Sequence, residues 1–238
     1  MNVAVVGAGS WGTALAAHLA RGTHAVRLWA RDAALAREIA GAHENARDLP
    51  GIPLPAVHAT SDFAEALKDA EIAFVAVPSE FCRDVFRGLR PQLGAGTTLV
   101  SATKGLELGT LRRMSEVAAE EAPGHPVAVL SGPSFAMEVA QGQPTTVVVA
   151  SAERGVAEAV QRAVSSRSFR AYSSDDVIGV ELGGSLKNVI AIAAGIVDGL
   201  GYGHNTVAAL IIWKHRENLR RIAAGTERRL GARADGTP

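Results

Sequence analysis

The feature that most constrains the fold is a glycine-rich segment that follows a short apolar run at the start of the chain. Residues 3–6, Val-Ala-Val-Val, have the composition of a buried parallel strand. Gly7, Gly9 and Gly12 follow in the spacing G-x-G-x-x-G, and the apolar residues after Gly12 take a helical spacing. In a strand–turn–helix unit such glycines allow a tight turn, admit a pyrophosphate and let the helix pack closely on the strand. The segment therefore predicts a dinucleotide-binding unit, rather than a glycine-rich turn without a ligand.

The residues after the second predicted strand, 25–29, bear on which dinucleotide would bind. An acidic residue at this place bonds the ribose 2′-OH of NAD, whereas an arginine pairs with the 2′-phosphate of NADP. Arg31 comes directly after the strand and Asp32 follows it. The order favours NADP over NAD, with a solvated Arg31 as the alternative. Asp32 is predicted to cap the next helix, residues 33–40, whichever cofactor binds.

Composition indicates a globular protein and sets limits on its partners. The chain has 238 residues, of which 47% are hydrophobic and 20% charged, with a formal net charge of zero. Nothing in this balance indicates a nucleic-acid partner or an anionic membrane. The single cysteine, Cys82, excludes an intramolecular disulfide and is predicted to pack as a small apolar residue near a helix start. Without a signal peptide before the first strand or an uncharged span across a bilayer, we expect a cytoplasmic protein without membrane insertion.

Apolar strands alternate with helical segments up to about residue 175, which predicts a Rossmann-like, doubly wound α/β domain with a mainly parallel sheet. Further strands are expected near residues 56–60, 72–77, 97–103, 127–130, 145–150 and 169–173, and residues 49–55 read as a Pro/Gly loop. Ligands of such sheets bind beyond the carboxyl ends of the strands. Lys104 follows one strand there. Pro133 and Ser134 are predicted to open a helix whose N-terminus offers a second place for an anion, with simple capping by Ser134 as the alternative.

A long helix is expected from Asp175 or Asp176 to about Asp198. Gly183 and Lys187 are four residues apart, so they lie on one face of this helix, one turn from each other. A lysine flanked by apolar residues beside a glycine suits general acid/base chemistry. The alternative is a lysine that extends from a packed helix to solvent.

Several motifs, in this order, resemble those of the bacterial NAD(P)-dependent glycerol-3-phosphate dehydrogenases. They are Gly-Ala-Gly-Ser-Trp-Gly-Thr-Ala at 7–14, Val-Pro-Ser at 77–79, Ser-Ala-Thr-Lys-Gly-Leu-Glu at 101–107, Ser-Gly-Pro-Ser-Phe-Ala at 131–136, Glu-Leu-Gly-Gly-Ser-Leu-Lys-Asn-Val-Ile-Ala-Ile at 181–192 and Gly-Leu-Gly-Tyr-Gly-His-Asn-Thr at 199–206. The resemblance covers about residues 1–211. It implies the interconversion of sn-glycerol 3-phosphate and dihydroxyacetone phosphate with NAD(P), run mostly as a reduction that feeds phospholipid synthesis.

The resemblance also implies roles for individual residues. We expect small-molecule partners and no metal, with a homodimer as a candidate assembly. Lys187 matches the catalytic proton donor/acceptor. The cofactor would contact Gly7, Gly9, Ser10, Trp11, Gly12, Arg31, Lys104 and Ala136. The substrate would contact Lys104, Gly132, Ser134 and Lys187.

The end of the chain departs from the family pattern. Residues 212–238 do not follow the motifs, so we expect a dinucleotide-binding domain at 1–175 and a truncated all-helical substrate domain at 176–238. A frameshift or truncation would produce such an end. Two alternatives therefore stay open beside the dehydrogenase. One is a catalytically impaired NADP-binding fragment. The other is a hydroxyacid dehydrogenase of the 6-phosphogluconate type, against which residues 131–136 argue.

Overall fold

The computed structural model describes residues 1–54 and 56–201. The chain divides into two compact units, Met1–Ser185 and Leu186–Pro238. The predicted boundary between residues 175 and 176 stays a prediction, and the atypical tail at 212–238 lies outside the described residues.

Ten strands are described, and eight of them form one sheet. In chain order the strands are β1 (Asn2–Val6), β2 (Ala25–Trp29), β3 (Glu44–Asn45), β4 (Leu49–Pro53), β5 (Val57–Thr60), β6 (Ile72–Val75), β7 (Thr98–Ser101), β8 (Val127–Ser131), β9 (Thr145–Ala150) and β10 (Phe169–Ser174). The large sheet has the order β10-β9-β8-β7-β6-β1-β2-β5. All neighbours in it are parallel except β8 and β9, which pair antiparallel. The predicted mainly parallel, Rossmann-like sheet is confirmed.

In the described part of the chain, eight α-helices connect or follow these strands. They are α1 (Ser10–Ala20), α2 (Ala33–Ala42), α3 (Phe63–Leu67), α4 (Cys82–Leu89), α5 (Met114–Glu121), α6 (Ala136–Ala140), α7 (Arg154–Val164) and α8 (Val177–Gly199). Asp32 caps α2 as predicted, because its side chain accepts hydrogen bonds from the backbone N–H groups of Ala34 and Leu35. Asp176 likewise accepts a 2.8 Å hydrogen bond from the backbone of Gly179 in the first turn of α8.

One predicted helix start is wrong. α6 begins at Ala136, with Phe135 at the N-cap position and no side-chain capping bond. Ser134 therefore does not cap a helix, and Pro133 lies in the preceding loop. The loop is held against β9 instead, since a Cβ atom at Gly132 would lie 2.8 Å from the carbonyl oxygen of Thr146.

The prediction of an irregular Pro/Gly loop at 49–55 is also wrong for most of its length. β3 and β4 pair antiparallel as a small separate hairpin, with Glu44 opposite Pro53. Leu49 and Ile52 of β4 are buried in the core. This burial stabilises a hairpin whose proline and glycine content disfavours a strand.

The large sheet is buried on both faces, which explains why its strands are almost continuously apolar. On one face, α1, α2, α6 and α7 contribute buried side chains such as Leu15 and Val160. On the other, α3, α4 and α5 contribute side chains such as Phe86 and Val117. Cys82 begins α4 and is fully buried, as predicted.

Among the described residues, α8 is the one helix long and apolar enough to cross a membrane, with a mean hydropathy of 1.5 over Val177–Val197. The span contains Glu181 and Lys187, so it is not an uncharged stretch. Core helices of soluble proteins meet the same two criteria but are mostly buried, whereas 7% of this span is buried.

Candidate cofactor and substrate site

The glycine loop lies where the strand order of the sheet reverses, between β1 and β6, and the packing there requires glycine at two positions. Gly7 has φ +117°, and a Cβ atom on it would lie 2.5 Å from the carbonyl oxygen of Ala76. A Cβ atom on Gly12 would overlap the carbonyl oxygen of Gly7. The turn and the close approach of α1 to β1 therefore have the predicted physical causes. This switch point is where doubly wound sheets bind their ligands.

Gly9 differs from the other two glycines because its surroundings are open. It is the N-cap of α1, and a Cβ atom there would meet nothing within 4 Å. Gly9 and Ser10 are both exposed. The free N–H groups of the first turn of α1, an eleven-residue helix, are therefore accessible to an anion.

Trp11 connects two parts of this edge of the sheet. Its side chain is partly buried, and the indole Nε1 donates a 3.2 Å hydrogen bond to the carbonyl oxygen of Ala102, which follows β7. The bond holds the start of α1 next to the loop that carries Lys104. Trp11 therefore positions the predicted cofactor site through the backbone of a neighbouring strand.

Asn45 supports the glycine loop through hydrogen bonds, although it was not among the residues predicted from the sequence. The fully buried side chain donates 2.9 Å hydrogen bonds from Nδ2 to the carbonyl oxygen of Ala8 and to Oγ1 of Thr13. Its Oδ1 accepts a 3.1 Å bond from the backbone N–H of Asp48. No local sequence pattern marks this residue, because its partners at the loop lie more than 30 residues away along the chain.

Arg31 and Asp32 follow β2 at the same edge of the sheet and have different environments. Arg31 is exposed, and its guanidinium lies 5.1 Å from the ring centroid of Phe81. Hydrogen bonds from the backbone of Ala34 and Leu35 lower the pKa of the Asp32 carboxyl below its usual value. Capping occupies Oδ1 of Asp32, and Oδ2 faces Arg47.

A second set of predicted residues comes together beyond the ends of β7 and β8. Nζ of Lys104 donates a 3.3 Å hydrogen bond to the carbonyl oxygen of Gly132. The hydroxyl of Ser134 donates to the same oxygen at 3.4 Å, and Ser134 is buried. Ala136, partly buried, begins α6 just after this loop. The structure therefore brings together three of the residues predicted to contact substrate.

The first half of α8 packs directly on this cluster. A Cβ atom at Gly184 would overlap Oγ of Ser131 and lie 3.9 Å from Cγ of Lys104. The hydroxyl of Ser185 accepts a 3.0 Å hydrogen bond from the backbone N–H of Gly105. The close approach of Ser131 accounts for a glycine that costs about 1 kcal/mol relative to alanine inside a helix.

Glu181 fixes α8 to α5, a role that was not predicted from the sequence. Its carboxylate accepts hydrogen bonds from Nη1 of Arg113 at 2.9 Å, from the backbone N–H of Ser115 at 2.9 Å and from the hydroxyl of Ser115 at 2.6 Å. The Glu181 side chain is 7% exposed. A buried carboxylate with this many donors orients its helix, since its charge would be costly to bury without them.

Lys187 lies on α8, one turn after Gly183 as predicted, in the part of the helix that belongs to the second compact unit. Its side chain is partly buried. The catalytic role of Lys187 stays a prediction. Cys82 is not a candidate nucleophile, because burial raises the pKa of its thiol to about 11.

Two models of one protein family match the chain. The N-terminal model of NAD-dependent glycerol-3-phosphate dehydrogenase matches residues 2–157, and the C-terminal model matches residues 176–229. The second match continues past residue 211, where the motif resemblance seen in the sequence ends.

Individual relatives agree with these models. A glycerol-3-phosphate dehydrogenase [NAD(P)+] of Rhodospirillum rubrum is 49% identical over 211 residues, which are 88% of this chain and 60% of the relative. One of Chelativorans sp. is 47% identical over 235 residues, 98% of this chain and 70% of the relative. The chain thus spans about 60% of the length of the Rhodospirillum relative.

Solved structures give the same assignment. The crystal structure of glycerol-3-phosphate dehydrogenase from Coxiella burnetii has a TM-score of 0.84 at 40% identity, covering 95% of this chain and 70% of that one. The yeast enzyme (Saccharomyces cerevisiae) has a TM-score of 0.80 at 28% identity, covering 96% and 72%. The glycine loop, the cluster beyond β7 and β8 and these matches lead to one conclusion: the chain belongs to the NAD-dependent glycerol-3-phosphate dehydrogenase family.

Proposed function

We propose that the chain is an oxidoreductase that interconverts sn-glycerol 3-phosphate and dihydroxyacetone phosphate with NAD(P), prefers NADP, and supplies glycerol 3-phosphate for phospholipid synthesis in the cytoplasm. The observation that carries the proposal is the clustering of Lys104, Gly132 and Ser134 at the sheet edge that also holds the open N-terminus of α1. Family membership adds the substrate class, since relatives carry the name glycerol-3-phosphate dehydrogenase [NAD(P)+]. They do not favour the 6-phosphogluconate-type alternative.

The residues at the start of α1 fit a dinucleotide. The pyrophosphate would lie against Gly9 and Ser10, where backbone N–H groups and the helix dipole favour negative charge. Arg31 would pair with the 2′-phosphate, because it is an exposed cation just after β2. When bound, the reduced nicotinamide supplies the hydride.

The loops beyond β7 and β8 fit a small phosphorylated substrate. The ammonium of Lys104 and the hydroxyl of Ser134 both reach the carbonyl oxygen of Gly132, so both can turn to a substrate oxygen at the same place. Lys187 would donate its proton to the carbonyl oxygen of dihydroxyacetone phosphate as negative charge develops there. A positioned ammonium both stabilises that charge and supplies the proton.

Cofactor binding and turnover test the proposal separately. Calorimetric titration of the 238-residue protein should show tighter binding of NADPH than of NADH. Arg31→Ala should remove most of that difference, whereas Arg37→Ala, on α2, should not. Reduction of dihydroxyacetone phosphate, followed by NADPH absorbance, should fall about 10²–10⁴-fold in Lys187→Ala while NADPH affinity persists. Rates within a few-fold of the parent would assign Lys187 a structural role.

A catalytically impaired NADP-binding fragment is the second candidate, because the chain covers only about 60–65% of several curated relatives. NADPH binding without turnover in the parent protein would select this candidate. Turnover at about 1–10³ s⁻¹ would select the dehydrogenase. Sedimentation velocity on the same sample would test the proposed homodimer.

A further inference from the structure

We infer that the β3–β4 hairpin forms part of the cofactor site and that Arg47, in its turn, is a second residue that selects the 2′-phosphate of NADP. The inference rests on the proposed function, and it concerns a segment whose sequence gives no such indication. Nothing in the glycine motif or in the residues after β2 points to positions 45–48.

The β3–β4 hairpin lies between two parts of the proposed cofactor site. At one end, Asn45 donates a 2.9 Å hydrogen bond to the carbonyl oxygen of Ala8, between the first two motif glycines. Two residues later, Nη1 of Arg47 lies 3.5 Å from Oδ2 of Asp32, which follows β2. The hairpin turn thus spans the gap between the glycine loop and the end of β2. An extended adenosine ribose would occupy the same interval in a doubly wound dinucleotide site.

The charged side chains around Asp32 balance one another. One carboxylate oxygen, Oδ1, accepts the capping hydrogen bonds of α2, and the other, Oδ2, faces Arg47. Nε of Arg47 also donates a 3.0 Å hydrogen bond to Oδ2 of Asp48. Arg31, Asp32, Arg47 and Asp48 together carry no net charge, and removal of Arg47 would leave a net negative charge beside the proposed 2′-phosphate.

The exposure of these ion pairs leaves the guanidinium of Arg47 accessible to a ligand. The side chains of Arg47 and Asp32 are 58% and 52% exposed, and exposed ion pairs contribute little to folding stability. A phosphate dianion is a stronger partner for a guanidinium than one exposed carboxylate is. Arg47 therefore both shields the phosphate from Asp32 and offers it a second cation beside Arg31.

The consequence is a change in selectivity when Arg47 is lost. An acidic side chain at the end of β2 is the arrangement that recognises the ribose hydroxyls of NAD. In Arg47→Ala, Oδ2 of Asp32 becomes available to those hydroxyls and repels the 2′-phosphate. NADPH affinity should fall, and NADH affinity should stay the same or rise.

Calorimetric titration of the 238-residue protein with both cofactors at low salt tests this inference. We expect Arg47→Ala to weaken NADPH at least about fivefold, as for loss of a hydrogen bond to a charged group. NADH should change less than about twofold or bind more tightly, and Arg47→Lys should lie between parent and Arg47→Ala. Arg37→Ala removes the same side chain from α2 and is the matched control. Equal urea midpoints would show that the variants fold like the parent.

The outcomes separate this inference from the proposed function. Parent-like NADPH affinity in Arg47→Ala, or equal loss of both cofactors, would overturn the inference while cofactor binding by the parent stands. Failure of the parent to bind either cofactor would overturn the proposed function and the inference with it. A selective loss of NADPH in Arg47→Ala but not in Arg37→Ala would support both.

Discussion

Replacement of Asn45 should destabilise the fold and weaken cofactor binding together, because this one side chain supports the glycine loop. Asn45→Ala leaves the carbonyl oxygen of Ala8 and the hydroxyl of Thr13 without their 2.9 Å partners. Both residues are buried, at 7% and 0% exposed, so water cannot readily take the place of the amide. The backbone of Asp48 is nearer the surface and can bond water.

The magnitude follows from the two buried groups. Each buried polar group left without a partner costs about 1–3 kcal/mol, so the loss of two partners should lower the free energy of unfolding by about 2–6 kcal/mol. That is a large fraction of the ~5–15 kcal/mol by which ordinary domains are stable. The matched control is Gln161→Ala, which removes a side-chain amide with one 2.8 Å bond, to the carbonyl oxygen of Ala171, far from the site. Ala171 is also buried, so the loss of this one bond should cost about 1–3 kcal/mol.

Asn45→Asp makes the test sharper because it keeps the size of the side chain and removes its donor. The hydroxyl of Thr13 can turn and donate to a carboxylate, but the carbonyl oxygen of Ala8 cannot. Repulsion between the new carboxylate and the carbonyl oxygen of Ala8 should raise the pKa of the carboxyl in the folded state above its unfolded value. As pH falls, the carboxyl takes up a proton and can donate a hydrogen bond again, so the variant should regain stability. The deficit relative to the parent should therefore shrink between about pH 8 and about pH 5.

Urea unfolding followed by circular dichroism measures these deficits, and NADPH titration of the same samples measures the effect on the site. A smaller urea midpoint with an unchanged slope would indicate lost stability in the native state. An Asn45→Asp midpoint equal to that of the parent at about pH 8 would refute the reasoning. So would a deficit that grows on acidification.

Two further predictions concern the glycine loop and His18. Gly12→Ala should abolish soluble protein or NADPH binding, because its Cβ would overlap the Gly7 carbonyl, whereas Gly9→Ala should unfold like the parent and lose only NADPH affinity; equal behaviour of the two variants in urea unfolding would contradict this. Burial lowers the pKa of His18 below 6.5. The unfolded chain therefore binds the proton more readily, and the stability that neutral His18 contributes is present above about pH 6.5 and lost as pH falls toward the lowered value. Urea midpoints of parent and His18→Gln should converge on acidification, and parallel curves would exclude His18 as the cause.

Periodicity and motif spacing predicted the strands and the residues that follow them, because buried parallel strands and helix caps are local signals. Arg31, Lys104 and Gly132 were placed correctly at the strand ends for this reason. Asn45 and Glu181 escaped notice because their importance lies in partners distant in the sequence, such as Ala8 and Arg113.

The two errors of local structure have the same origin. Pro133 and Ser134 resemble a helix start, but contact between Gly132 and β9 holds them in a loop, so α6 begins at Ala136. The proline-rich segment after Asn45 lacks strand propensity, yet the burial of Leu49 and Ile52 pairs it into a hairpin. In both places tertiary packing overrides the local preference.

The one antiparallel pairing within the eight-stranded sheet, between β8 and β9, determines the direction in which the chain leaves that sheet. β9 and β10 run antiparallel to the other strands of the sheet, so β10 ends at the edge where those other strands begin. There the backbone N–H of Ser151 donates to the carbonyl oxygen of Ser174, and the hydroxyl of Ser151 donates to the carbonyl oxygen of Val127, the first residue of β8. α8 therefore starts at that edge of the sheet and rises about 12 Å from Val177 to Ser185, which brings Ser185 to the backbone of Gly105. Had all eight strands been parallel, the following helix would have descended from the carboxyl edge, away from that loop. The reversed direction of β9 and β10 therefore makes α8 run toward the edge of the sheet that carries the proposed site.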